Sequence, residues 1–167
     1  AFTSCGSDKK ESNSEEVEYV EKEIETTETA IEYNDYMLDI QRMVDNAMAD
    51  FIDESDTYSK EVAKTKVEEI GNIIDEAIYA VEAKRDFDGK DDFKNAMLKM
   101  LEAYKDLLYN EFYVLFVDYA GDAVLTDEQL DELDLTYAQF MEKYDIAHTD
   151  FNDFQQNFAY KWNFTIK

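Results

Sequence analysis

The chain has 167 residues, of which 45% are hydrophobic and 14% aromatic. A chain of this length is sufficient for one domain with a packed core, and its hydrophobic content is too high for a wholly disordered chain. Its formal net charge of −25 argues against nucleic-acid binding, which needs clustered Lys and Arg, and against adsorption to anionic lipid. Cationic partners, divalent ions or simple solubility remain as interpretations of this charge.

The first segment, residues 1–28, reads as a tail. It holds the only cysteine, Cys5, and between Asp8 and Glu28 it has nine acidic residues and three lysines. Such a segment buries too little apolar surface to offset the entropy lost on ordering, so we predict a disordered acidic tether. Residues 17–24 are compatible with a frayed helical extension.

The residues Phe2-Thr3-Ser4-Cys5 resemble the lipobox of bacterial lipoproteins, in which an apolar and two small residues precede the lipidated cysteine. Phe2 departs from the leucine that is commonest there. The acidic, serine-rich run over 7–16 resembles the tether of Bacteroidota surface lipoproteins. The resemblance implies that 1–28 is a signal-peptide remnant with its lipidation site at Cys5, and that the protein is anchored in the bacterial outer membrane, facing the surface or the periplasm. A lone cysteine in a disordered tail is the other interpretation.

Residues 29–167 are predicted to form one domain of four amphipathic helices. Helix one begins near Thr29, where Glu32 completes a capping-box pattern, and ends at 55–57, a segment that also offers a cap to helix two. Spacings of three and four place apolar residues on one face of each helix. These faces are Tyr33, Met37, Ile40, Val44, Ala47, Met48 and Phe51 on helix one, and Ala63, Val67, Ile70, Ile74, Ala77 and Val81 on helix two.

Helix two ends before a turn over 86–89, and helix three runs from Asp91 to near Tyr119. Helix four begins at Thr126, where Gln129 completes a second capping box. The apolar faces are Phe93, Met97, Met100, Leu101, Tyr104, Leu108, Phe112, Leu115 and Tyr119 on helix three, and Leu130, Leu133, Tyr137, Phe140, Tyr144, Ala147, Phe151, Phe154, Phe158 and Trp162 on helix four.

Four such helices with short connections predict an all-α fold, an antiparallel up-down four-helix bundle. The apolar residues between 108 and 119 surround more than one face of helix three. Helix three is therefore either central to the bundle or leaves an apolar face for a partner.

Residue types that carry chemistry are few. A di-iron site in such a bundle needs a Glu-x-x-His pair on each of two helices, whereas this chain has one histidine, His148, with Asp145 three residues before it. We expect His148 to be a boundary residue with a satisfied ring nitrogen. No nucleophile elbow, phosphate loop or dinucleotide fingerprint is present, so we expect no catalytic residue, no cofactor and no transition-metal site.

The turn between helices two and three is the weak candidate for a calcium site. It supplies Asp86, Asp88, Asp91 and Asp92, but glycine comes too early for the EF-hand order and no Glu follows at the twelfth position. We favour the interpretation that these residues form a turn and that the acidic ones begin the next helix.

Beyond its lipoprotein-like start, the body resembles the uncharacterised helical surface proteins of Bacteroidota and other Gram-negative bacteria, through residues 93–96, Tyr104-Lys105 and 157–164. That resemblance implies no reaction. The leading hypothesis is a lipid-anchored cell-envelope protein, not an enzyme, whose bundle is an interaction or scaffolding module with a membrane anchor at Cys5 and a protein partner in the envelope. The alternative is a small-ligand or cation-binding lipoprotein that uses a bundle cavity or the acidic loops.

Overall fold

The computed structural model describes residues 14–122 and 124–166, with side chains described from residue 30 onward. Four long helices fill most of this range, and no β-strand occurs within it. They are α1 (Ser14–Glu54), α2 (Lys60–Ala83), α3 (Asp92–Tyr109) and α4 (Asp127–Lys161). The predicted all-α four-helix bundle is thus confirmed.

The helices alternate in direction. Asn34 of α1 contacts Gln155 near the end of α4, whereas Phe51 near the end of α1 and Phe140 in the first half of α4 both pack on Phe112. These contacts make α1 and α4 antiparallel. α3 lies between α2 and α4 and makes the largest interfaces of the bundle. Of the apolar residues between 108 and 119, Leu108, Phe112 and Val117 are buried, whereas Tyr109 is 46% exposed, so this segment is covered on one side only.

The predicted apolar faces of the first three helices supply most of the core, but Leu115 and Tyr119 of the helix-three face are half-buried. On α1 and α2 every predicted position is buried except Ala47, which is half-buried. The largest side chains that are completely enclosed include Tyr104, Phe112 and Phe151. The centre of the bundle is therefore filled by side chains and is not a hollow cavity.

Phe87 is a core residue that the sequence analysis placed in a turn. The Lys90 amide donates to the Phe87 carbonyl at 3.0 Å, and the two residues between them, Asp88 and Gly89, have φ of 53° and 66°. Positive φ at both positions is the type I′ geometry. This tight turn points the Phe87 ring inward, at 5.0 Å from the Trp162 ring centroid.

Two helix boundaries differ from prediction. α1 begins at Ser14 and not near Thr29, consistent with the high helix propensity of the Glu and Lys residues before Thr29. The tether predicted to be disordered therefore overlaps α1 from Ser14, and its residues 1–13 lie outside the described ranges. Helix three is interrupted at Asn110, whose side chain donates to the Asp106 carbonyl and carboxylate at 2.9 Å and so competes with the helical backbone pattern.

Beyond Asn110 the chain forms a helical turn (Glu111–Tyr113) and a π-helical segment (Val114–Asp118). At the other connections, Ser59 caps α2, rather than a residue of 55–57, by accepting from the Val62 amide. The capping box of α4 is confirmed, since Thr126 and Gln129 exchange both predicted hydrogen bonds.

The predicted face of α4 is only partly buried. Phe140 and Phe151 lie in the core, but Tyr144 and Phe154, also expected to be largely buried, are half-buried. No residue from 127 to 139 is buried. The first part of α4 is uncovered because α4 extends further than α1 at this end of the bundle. α1 ends at Glu54, three residues beyond Phe51, whereas α4 begins 13 residues before Phe140, a length of roughly 20 Å at the helical rise.

Candidate functional site

The uncovered half of α4 is the first candidate site. Leu130, Tyr137 and Met141 are exposed by 48%, 56% and 37%. Spacings of seven and four put them on one side of the helix. We call these three residues the α4 face. Leu130 and Tyr137 belong to the apolar pattern that forms the core further along α4, and Met141 lies one turn beyond Tyr137 on the same side; all three remain open to solvent.

An acidic row runs beside the α4 face. It consists of Asp127, Asp131, Asp134 and Asp145, all exposed. Asp127, Asp134 and Asp145 each lie three or four residues from a member of the α4 face, so they are its direct neighbours on the helix surface. Asp131 lies four residues from Asp127 and three from Asp134, in the same row. None of these four carboxylates forms an ion pair with another residue in the described ranges.

A groove on the outside of the α3–α4 pair is the second candidate. Its volume is about 440 Å³, and its floor is mainly apolar. The ten-residue step from Ala96 to Asp106 along α3 makes it roughly 15 Å long. The floor residues are Ala96, Met100, Ala103, Ile146, Ala147, Phe151 and Phe154. A site of this volume is in the range of small-molecule pockets.

Two lysines bridge this groove. Lys99 of α3 lies 2.6 Å from Asp150 of α4, and Lys143 of α4 lies 3.5 Å from Asp106 of α3. Lys143 also donates to the buried Glu111 at 2.7 Å, and this hydrogen bond raises the pKa of Lys143. The ion pairs tie α3 to α4 and leave the groove rims balanced in charge.

The interface between α1 and α4 is polar along one line, which we call the polar seam. It consists of Asn34, Gln41 and Asp45 on α1 and of Tyr144, His148 and Gln155 on α4. The three residues on α1 are seven and then four positions apart, and those on α4 are four and then seven apart, so each set lies on one side of its helix. The Gln155 amide donates to Asn34 at 2.9 Å in a buried hydrogen bond. The seam was missed from sequence because Asn34, Gln41, Asp45 and Gln155 read as polar edges of the apolar stripes, and Tyr144 was assigned to the apolar face of helix four.

Asp45, at the end of the polar seam away from Asn34, is a half-buried acid. One of its carboxylate oxygens is enclosed without a hydrogen-bond partner, as is the hydroxyl of the adjacent, fully buried Tyr104. Burial raises the pKa of Asp45, and His148 of α4, Tyr104 of α3 and Gln41 of α1 partly oppose that rise. Burial and then the Asp45 charge raise the pKa of Tyr104. Tyr104 and Asp45 each affect the pKa of the other, but their side chains do not form a hydrogen bond with good geometry.

His148 is half-buried on α4, as predicted. Its ring stacks on Tyr144 with centroids 5.8 Å apart, and its Nδ1 lies 2.8 Å from the Asn152 amide nitrogen. One ring nitrogen therefore has a partner, which confirms the expected boundary role. In the described part of the chain, no group of three or more His, Cys, Asp or Glu side chains is placed to hold a metal ion.

The weak calcium candidates are dispersed. Asp86 forms an ion pair with Lys94 at 3.1 Å, Asp88 occupies the turn at positive φ, and Asp91 and Asp92 begin α3. Asp91 and Asp92 thus place negative charge at the start of a helix, where it suits the helix dipole. Cys5, the predicted lipidation site, lies outside the described residues.

Among the residues that the structure describes, no helix has both the length and the apolar character needed to cross a membrane. Comparisons of the chain with protein families, with curated proteins and with solved structures found no match. The candidate sites are therefore interpreted from their own geometry and chemistry.

Proposed function

We propose that this protein is a lipid-anchored, non-enzymatic interaction module of the bacterial cell envelope, attached at Cys5 and contacting a partner through the α4 face. The observation that carries the proposal is an apolar face that continues a core pattern and has no cover within the described chain. Uncovered apolar side chains of this kind mark interaction surfaces. The lipid anchor rests on the sequence resemblance alone.

The anchor is tested on the precursor with its signal peptide. Wild-type protein should incorporate labelled palmitate and fractionate with membranes, and Cys5→Ala should do neither. Ser4→Ala, which keeps a small residue before the cysteine, is the matched control. Unchanged labelling of the Cys5 variant would contradict the anchor.

The contact surface is tested by photo-crosslinking in intact cells. A photoreactive phenylalanine at Tyr137 should give a discrete protein adduct. The same group at Tyr79, an even more exposed tyrosine on α2, should not. Adding Leu130→Ser and Met141→Ser to the Tyr137 probe should remove the adduct. Equal adducts at both tyrosines, or no adduct at Tyr137, would refute the proposed surface.

The second candidate function is binding of a small apolar ligand in the α3–α4 groove, favoured by its volume of about 440 Å³. A groove-filling substitution, Ala103→Trp, should then abolish binding of an apolar fluorescent probe. Ala138→Trp, at an exposed site outside the groove on α4, should leave it unchanged. If neither substitution alters probe binding, the groove is not the site.

A further inference from the structure

We propose that the partner segment recognised by the α4 face is a cationic amphipathic α-helix, an inference that rests on the proposed function. Its apolar stripe packs on Leu130, Tyr137 and Met141, and its Lys or Arg residues lie along the acidic row. The partner is thus a protein with a basic helix exposed in the envelope.

The shape of the α4 face argues for a helix. The eleven-residue step from Leu130 to Met141 spans roughly 16 Å along α4, and the face is narrow and open. A second helix laid along α4 meets all three side chains with its own positions spaced by three and four. A compact small molecule would touch one of them and leave the others in water.

The charges argue for a basic partner. Residues 127–145 contain seven acidic side chains and one basic side chain, Lys143. Four of the acids form the row beside the α4 face, and all four are free of ion pairs within the described ranges. Flanking charges of this kind select the partner of a helix pair and its orientation.

The same charges disfavour a second copy of this chain on the α4 face. A symmetric pair would set two acidic rows beside each other, and each chain carries a net charge of −25. Like charges placed together across an interface oppose association.

The test uses a synthetic helical peptide of Lys and Leu with one apolar stripe as probe. It is compared with a scrambled peptide of the same composition and with a peptide in which Glu replaces Lys. Affinity for the folded wild-type chain is measured by fluorescence anisotropy at two salt concentrations. We expect the patterned cationic peptide to bind at least about tenfold more tightly than the scrambled one, and more weakly in higher salt.

Two sets of variants then locate the site. Leu130→Ser/Tyr137→Ser/Met141→Ser should weaken binding by at least about tenfold, and the matched control Ile31→Ser/Met43→Ser/Tyr79→Ser should not. A charge variant of the acidic row should weaken peptide binding more than a control on α2 that changes the net charge by the same amount. The charge variant is Asp127→Asn/Asp131→Asn/Asp134→Asn, and the control is Glu68→Gln/Glu76→Gln/Glu82→Gln. Circular dichroism verifies that each variant is folded. Equal effects of variant and control would mean non-specific attraction and would overturn the inference, as would tighter binding of the Glu peptide.

Sedimentation of the free chain adds one more outcome. Self-association that is lost in the α4-face variant would assign the surface to a second copy and overturn the basic-helix partner. If the Tyr137 crosslink forms in cells but the cationic peptide does not bind, the partner chemistry is wrong and the proposed function stands. If that crosslink is absent, the proposed function itself fails.

Discussion

Truncation of Phe151 to alanine tests the core of the bundle most directly. Phe151 is 1% exposed, and its ring lies 6.0 Å from that of Phe93 on α3, the helix that contacts α4 most extensively. Removing a buried phenyl ring loses its transfer free energy, about 1.5–3 kcal/mol, and leaves a cavity that the rigid surroundings fill only in part. We expect the free energy of unfolding to fall by about 3–5 kcal/mol.

The assay is urea denaturation followed by far-UV circular dichroism and by the fluorescence of Trp162, the only tryptophan, which packs on Phe87. The two probes should give coincident transitions with an unchanged slope. Leu135→Ala on the same helix, at a residue 62% exposed, is the control and should cost less than about 0.5 kcal/mol. A loss below about 1 kcal/mol at Phe151 would show that its ring does not lie in a tightly packed core.

Three further predictions concern charge and metals. Because burial raises the pKa of Asp45, its contribution to stability is fully present below its unfolded pKa and is lost as the pH rises through the higher folded value. Asp45→Asn should therefore exceed wild type in unfolding free energy at pH 7, by up to about 1 kcal/mol for this partly solvated group. In urea melts the difference should vanish below about pH 3, where Asp45 is protonated in both the folded and the unfolded chain; a constant difference would contradict this. Monovalent salt should raise the melting temperature smoothly by screening the net charge, and CaCl₂ at matched ionic strength should act only as a more effective screening ion. Saturable calcium binding with a dissociation constant below roughly 10⁻⁴ M, lost in Asp88→Asn, would instead establish a calcium site. Elemental analysis of protein purified without chelator should find less than about 0.1 Fe, Mn or Zn per chain, since the ligands of the usual sites are missing; stoichiometric metal after dialysis would be the contrary result.

Local pattern accounts for the parts of the fold that the sequence analysis predicted. The three-and-four spacing identified the buried faces of α1 and α2 almost completely, because a helix turns through the same angle at every residue. The Thr126–Gln129 capping box was recognisable because both of its partners lie within one turn. The break at Asn110 was not anticipated, since Asn is tolerated within helices and its side chain must turn back to Asp106 to compete with the backbone.

The candidate sites depend on contacts between helices. Leu130 and Tyr137 belong to the same apolar pattern as Phe140 and Phe151, so periodicity alone placed all four in the core. Burial is decided by whether another helix reaches that level of the bundle, and α1 ends before it does.

The sequence by itself determined the all-α class, the number of long helices and the apolar side of each, because these follow from rotation and capping within single segments. Only the tertiary structure decided which stretches of those apolar sides are covered and which polar residues meet, as Asn34 and Gln155 do across α1 and α4. Such outcomes depend on the relative lengths and register of helices far apart in the chain, and residue spacing within one helix carries no information about either.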